Sequence, residues 1–124
     1  GDKKLPGISA DDIGKCAYGI FKQGEVFIGK TVGIAGEHLT GAQMAEAIGM
    51  SLGRPVVHQA VSPEAYRSFG FPGADDLGNM FQYKRDFESD FCGARNLRLA
   101  RALNPELKTF GKWLEENRER LRAT

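Results

Sequence analysis

The pattern of apolar and polar positions is most regular between Gly29 and Val61, and the rest of the chain is arranged around that stretch. Thr31 to Ala35 is a short apolar run with β-branched residues, bounded by Gly29 and Gly36, which predicts a strand. Thr40 with Gln43 three residues on forms a capping box, and Met44, Ala45, Ile48 and Leu52 then recur at helical spacing. Gly53 supplies a left-handed stop, and Pro55 keeps the helix from resuming. Val56 to Val61 reads as a second strand. Two strands joined by a crossover helix are expected to lie parallel with a right-handed connection. The expected class is thus α/β, or an α+β lobe: a small parallel βαβ unit with several flanking helices.

Before that unit, Leu5 to Ile8 fits a short strand. Ser9 then caps a helix whose apolar stripe is Ile13, Cys16, Ala17, Ile20 and Phe21, with Asp11 and Asp12 in the first turn. After the unit, Ser62-Pro63-Glu64 starts a short helix that ends near Gly70. Phe71-Pro72-Gly73 is a turn, and Ala74 to Asp86 is helical, with Leu77, Met80, Phe81 and Lys84 on one side. Phe87 to Gly93 has no clear period and reads as a loop. Asn96 to Leu103 is helical up to Asn104-Pro105. Thr109 caps the last helix, whose charged run from Glu115 to Arg122 reads as a solvated face.

Composition narrows the functional classes. A length of 124 residues favours one domain, and 41% apolar with 27% charged residues is ordinary for a globular protein. Seventeen basic and 16 acidic residues leave a net charge of +1, which gives no support for nucleic acid or a membrane surface as partner. No apolar run approaches the ~20 residues of a membrane span, and there is no signal-peptide core. Cys16 and Cys92 stand apart without metal-ligand spacing, as expected of thiols in a reducing cytoplasm. The opening Gly-Asp-Lys-Lys, without Met, reads as the start of a fragment or processed piece.

Several motifs match by letter and fail by context. Gly24 to Thr31 fits the P-loop pattern, but that chemistry needs a strand before the loop and a helix after it. Here a helix comes first and a strand is expected next. Tyr18 and Lys22 have the spacing by which a lysine lowers the pKa of a catalytic tyrosine, yet no dinucleotide-binding unit precedes them. Gly33-Ile-Ala-Gly36 has the wrong glycine spacing for a dinucleotide fingerprint, and Glu37 would repel a pyrophosphate. His38 and His58 have no companions at ligand spacing and read as structural. The residues support neither catalysis nor metal binding by this chain.

A resemblance does emerge from the later segments. Val61-Ser-Pro-Glu-Ala-Tyr66, Gly70-Phe-Pro-Gly-Ala-Asp-Asp-Leu-Gly-Asn-Met-Phe81, Leu103-Asn-Pro105, Thr109 and Trp113-Leu114 resemble the C-terminal part of NmrA-like proteins. These are atypical short-chain dehydrogenases/reductases, and the likeness is to the animal, cytosolic NADP(H)-sensing regulators among them. Gly7-Ile-Ser-Ala-Asp-Asp-Ile-Gly14 is similar to the segment by which such proteins enter their C-terminal lobe. The resemblance implies a single lobe over residues 1–124, with the Rossmann domain and its NADP(H) contacts outside it. It also implies a non-catalytic lobe, without cofactor residues of its own, that shapes a substrate or partner pocket. Phe71, Met80, Phe81 and Tyr83 are the residues expected to face that pocket. The apolar surface left by an absent Rossmann domain would be covered by that domain, by a second copy in a homodimer, or by a protein partner. A reductase or epimerase activity that needs a Rossmann domain is the remaining alternative.

Overall fold

The strand β1 (Lys4–Gly7) lies antiparallel to β2 (Glu37–Thr40), with Lys4 opposite Thr40 and Gly7 opposite Glu37. The computed structural model that shows this describes residues 2–123. One bond beyond the ladder, Gly36 N–H donates to the Gly7 carbonyl at 2.7 Å. Gly36 also passes so near the Lys108 carbonyl that an added Cβ would come within 2.9 Å of it. Between the strands run α1 (Ala10–Lys22) and a 3₁₀ turn (Gly24–Phe27). The helices α2 (Gly41–Leu52), α3 (Pro63–Arg67), α4 (Ala74–Asp86), α5 (Glu88–Gly93), α6 (Leu97–Leu103) and α7 (Phe110–Arg122) follow.

The architecture is α+β, and the parallel βαβ unit is corrected. Among the described residues the sheet is the single antiparallel pair of β1 and β2. Thr31 to Ala35 joins no ladder among the described residues, and its side chains pack into the lobe instead. Val32 and Ile34 lie against the core and Ala35 is buried, while a Cβ at Gly33 would lie 2.0 Å from the Ala94 carbonyl oxygen. Val56 to Val61 runs along the surface, with Val57 and Val61 exposed. The strand that does pair is the four-residue Glu-His-Leu-Thr, whose polar letters conceal it.

The helix ends follow their local chemistry. Thr40 Oγ1 accepts from Gln43 N–H at 3.1 Å while the Gln43 side chain accepts from Thr40 N–H at 2.9 Å, and Gly53 closes α2 at φ 70°. Ser62, Asn96 and Thr109 cap α3, α6 and α7 through their side-chain oxygens. The expected loop at Phe87 to Gly93 is instead α5, attached to β1 where Glu88 accepts from the Lys4 backbone N–H.

The core is built on Cys16, Ala100, Leu103 and Leu107, with Ile8, Ile20, Phe27, Val32, Ile34 and Leu99 around it. Gly19 lets α1 and α6 meet at backbone distance, since a Cβ there would lie 2.1 Å from the Leu103 carbonyl oxygen. The expected stripe of α1 holds at Cys16 and Ile20 and is corrected at Ile13 and Phe21. Its buried face is Asp12, Cys16 and Gly19, and Ile13 and Phe21 point outward. Asp12 is fully buried because its carboxylate accepts from Asn104 Nδ2 at 3.0 Å and from Lys108 N–H at 2.9 Å. Those bonds satisfy a charge that burial would otherwise penalise heavily. They tie the first turn of α1 to the loop that leads into α7.

Candidate ligand and partner surface

The α3–α4 hairpin carries large aromatic side chains that contact one another and remain partly open to solvent. Tyr66 is the hub: its ring centroid lies 5.7 Å from Phe69, 5.7 Å from Phe71 and 5.3 Å from Phe81. The edge-on contacts to Phe71 and Phe81 are the arrangement favoured by ring quadrupoles. Sequence explains why the hub forms. The Ser62 cap and Pro63 fix the start of α3, so Tyr66 falls on its last turn facing α4. Gly73 at φ 89° begins α4, and Gly78 takes the Arg67 stem so closely that a Cβ there would lie 2.5 Å from Arg67 Cγ. The Arg67 guanidinium is then held by Gln82.

Beside this hub is a cavity of about 460 Å³ whose wall includes Leu5, Met44, His58, Tyr66 and Phe81. Lys3, Lys4, Lys84 and Arg85 also line it, against the single carboxylate of Asp2. Lys3 is paired with Glu88 at 3.5 Å and Arg85 with Asp86 at 2.7 Å. Neither Lys4 nor Lys84 is within ion-pair distance of a carboxylate among the described residues. The Lys84 ammonium instead lies 5.7 Å from the Phe81 centroid and 5.2 Å from that of Phe91. The Asp86 carboxyl is held below its ordinary value chiefly by the hydrogen bond from Arg85, and the same bond raises Arg85. The cavity thus joins aromatic faces to an excess of positive charge.

The four pocket residues expected from sequence do not form one surface. Phe81 lines the cavity, and Phe71 reaches it through Tyr66. Met80 is half-buried on α4 and does not line this cavity. Tyr83, about 200° around the helix from Phe81, stacks on Phe87 at 5.0 Å and meets Phe91 at 6.4 Å. Arg95 covers the other part of that second cluster, 3.7 Å over Phe91. The sequence does not mark Tyr66 or the cationic residues as pocket residues, and it reads His58, which lines the cavity, as structural. Tyr66 belongs to the segment Val61-Ser-Pro-Glu-Ala-Tyr66, but its role depends on contacts across two helices.

The rejected motifs have plain structural roles. Gly33 and Gly36 are packed against backbone of this same chain, and β2 rather than a helix follows them. They do not fit a pyrophosphate. The Gly24–Thr31 stretch is a 3₁₀ turn and an extended segment without a following helix, which does not fit a phosphate loop. Lys22 lies 5.4 Å over the ring of Tyr18, which is 65% exposed on the outer face of α1. His38 bonds the Arg95 carbonyl at 2.9 Å, and His58 packs its ring on Gly41. Burial raises both Cys16 and Cys92 above the ordinary thiol value, so neither is an activated nucleophile. Among the described residues no three His, Cys, Asp or Glu side chains gather as a metal site.

The aromatic hairpin, the capped α2 and the buried Asp12–Asn104 connection all fall within the part of the chain that comparison with protein families recognises. Residues 1–114 match the NmrA-like family, and the chain belongs to that family.

Proposed function

We propose that this chain is a non-catalytic binding lobe of an NADP(H)-sensing regulator of the NmrA-like type. In this reading the dinucleotide is held by a Rossmann domain outside these residues, and the lobe supplies one wall of the pocket for a ligand or protein partner. The observation that supports it most is the cavity where Tyr66 and Phe81 meet Lys4 and Lys84, neither of them ion-paired among the described residues. Such a site offers stacking and charge but, among the described residues, no hydrogen-bonded nucleophile–base pair, since Ser62 Oγ is engaged as the cap of α3; it fits recognition better than turnover. Gly33 and Gly36, the pair that follows the pattern of a dinucleotide turn, are occupied by packing within the lobe.

Calorimetric titration of the chain with NADPH tests the first half of the reading. Only heat of dilution is expected, and micromolar or tighter binding overturns the assignment of the cofactor to another domain. The second half is tested by supplying an NADP(H)-loaded Rossmann domain of an NmrA-like protein in trans. Tyr66→Ala and Lys84→Ala are expected to weaken association with it or with its ligand, and unchanged association refutes the placement of the pocket wall.

A second reading, a homodimeric binding module, is favoured by a separate set of exposed apolar residues. Tyr18, Phe21, Val26 and Ile28 are between 56% and 79% exposed along α1 and the 3₁₀ turn. Apolar residues gathered this way are commonly covered by a partner. A dimer by light scattering that dissociates in Phe21→Glu is the expected outcome of that reading, and a monomer at high concentration removes it.

A further inference from the structure

A second cavity lies on the other side of Leu5 and Met44, between the β-ribbon and the start of α7. It has a volume of about 340 Å³, at the small end for ligand sites. It shares only Leu5 and Met44 with the cavity beside Tyr66. Its walls are apolar side chains from several elements: Leu5 from β1, Ile8 just after it, Leu39 from β2, Met44 from α2, and Phe110 and Trp113 from α7. The two aromatic rings are nearly parallel, 7° apart with centroids at 6.3 Å.

The polar groups in this cavity are few and specific. Glu37 lines it, with one carboxylate oxygen accepting from Phe110 N–H at 2.8 Å. No Lys, Arg or His nitrogen is within ion-pair distance of Glu37 among the described residues. The nearby cation of the wall, Lys108, has its ammonium drawn to Glu116 at 2.6 Å. Ser9 also lines the cavity, and its hydroxyl makes no capping bond to α1. An apolar chamber with a carboxylate oxygen free of cations and aromatic faces beside it is complementary to a positively charged head on a hydrophobic body. The carboxylate supplies a charge-assisted hydrogen bond, and aromatic faces attract cations within ~6 Å. A carboxylate ligand would meet Glu37 with like charge, and a hydrocarbon would leave its oxygen desolvated without a donor.

We propose that this cleft is a site for a small apolar amine, with its ammonium on Glu37 and its body among Leu5, Leu39, Met44 and Trp113. The site is separate from the cavity beside Tyr66, with which it shares only the walls of Leu5 and Met44.

Trp113 is the single tryptophan of the chain, so its fluorescence reports on this cleft directly. The test titrates the full chain with 2-phenylethylamine, phenylacetate and ethylbenzene, which share a ring and differ in charge, with calorimetry as a second readout. The amine is expected to bind at least about tenfold more tightly than either of the others, the ratio one good charge-assisted contact supplies. Glu37→Gln keeps an acceptor for Phe110 N–H and is expected to weaken amine binding by about tenfold while leaving ethylbenzene unchanged. Tyr66→Ala, in the other cavity, is expected to leave the amine's affinity as it is. Equal affinities for the three ligands, absence of amine binding, or amine binding indifferent to Glu37→Gln overturns the proposal. The three-ligand comparison on the unaltered chain stands whether or not the variant folds.

Discussion

Two regions of this chain use their side chains in opposite ways. Around α1, α6 and the loop before α7, small and medium residues are buried completely: Cys16, Ala100, Leu103, Leu107 and the carboxylate of Asp12. Around α3, α4 and α5 the buried residues are Pro63, Ala74 and Gly78, while the large aromatics contact each other at the surface. The first region gains stability from close approach and satisfied polar groups. The second leaves apolar area uncovered that burial would reward at about 25 cal/mol per Å². Aromatic residues left exposed in this way are available for contacts beyond the core of the chain.

This contrast can be broken first where the expected effect is largest. Asp12→Ala leaves the Asn104 amide and the Lys108 N–H without their acceptor, and a loss of about 3 kcal/mol or more is expected in urea unfolding. Asp12→Asn, which keeps one acceptor oxygen, should recover part of that loss. Gly19→Ala comes next, because the new methyl would press on the Leu103 backbone, which cannot rotate away. Its expected cost is about 2–3 kcal/mol by the same measurement. Tyr66→Ala should cost only about 1–2 kcal/mol despite removing a larger side chain, since its ring partners are themselves partly solvated. A loss from Tyr66→Ala equal to that from Asp12→Ala would erase the distinction between the two regions.

The smallest effect concerns the Lys108–Glu116 pair at 2.6 Å. The hydrogen bond from Lys108 holds the Glu116 carboxyl below its ordinary value. A lowered folded pKa means that its stabilising contribution is present above the ordinary carboxylate range and fades as pH falls through the lowered value. The same bond raises Lys108, whose contribution is present below the ordinary lysine value and fades as pH rises through the raised one. Glu116→Gln should therefore flatten a shallow acid limb in the urea midpoint plotted against pH. An acid limb unchanged in Glu116→Gln would assign it to other carboxylates.

What the sequence revealed and concealed divides along the range of the interactions. The caps at Thr40, Ser62 and Thr109 and the stop at Gly53 act within a few residues and appear in the structure as expected, whereas Ser9 stands at the start of α1 without the expected side-chain capping bond. The pairing of Lys4–Gly7 with Glu37–Thr40 spans the whole of α1, and nothing in Glu-His-Leu-Thr announces it. Conversely, Thr31 to Ala35 and Val56 to Val61 look like strands because β-branched residues favour extended backbone, and extended backbone need not join a sheet. The outward turn of Ile13 and Phe21 follows from Asp12 having partners that lie far along the chain. The same reason hid the aromatic hub: Phe81 and Phe71 could be picked by type, but Tyr66 at their centre required α3 to be folded onto α4.

The reach of Asp12 has a consequence for how the molecule is made. Its acceptor bonds go to Asn104 and to Lys108, 92 and 96 positions later. A chain emerging from the ribosome exposes α1 long before those donors have been translated. Until then the Asp12 carboxylate is better solvated by water than by any protein group, and the face of α1 that carries it resists burial. Docking of α1 therefore waits for the loop after α6, which acts as the latch that closes over it.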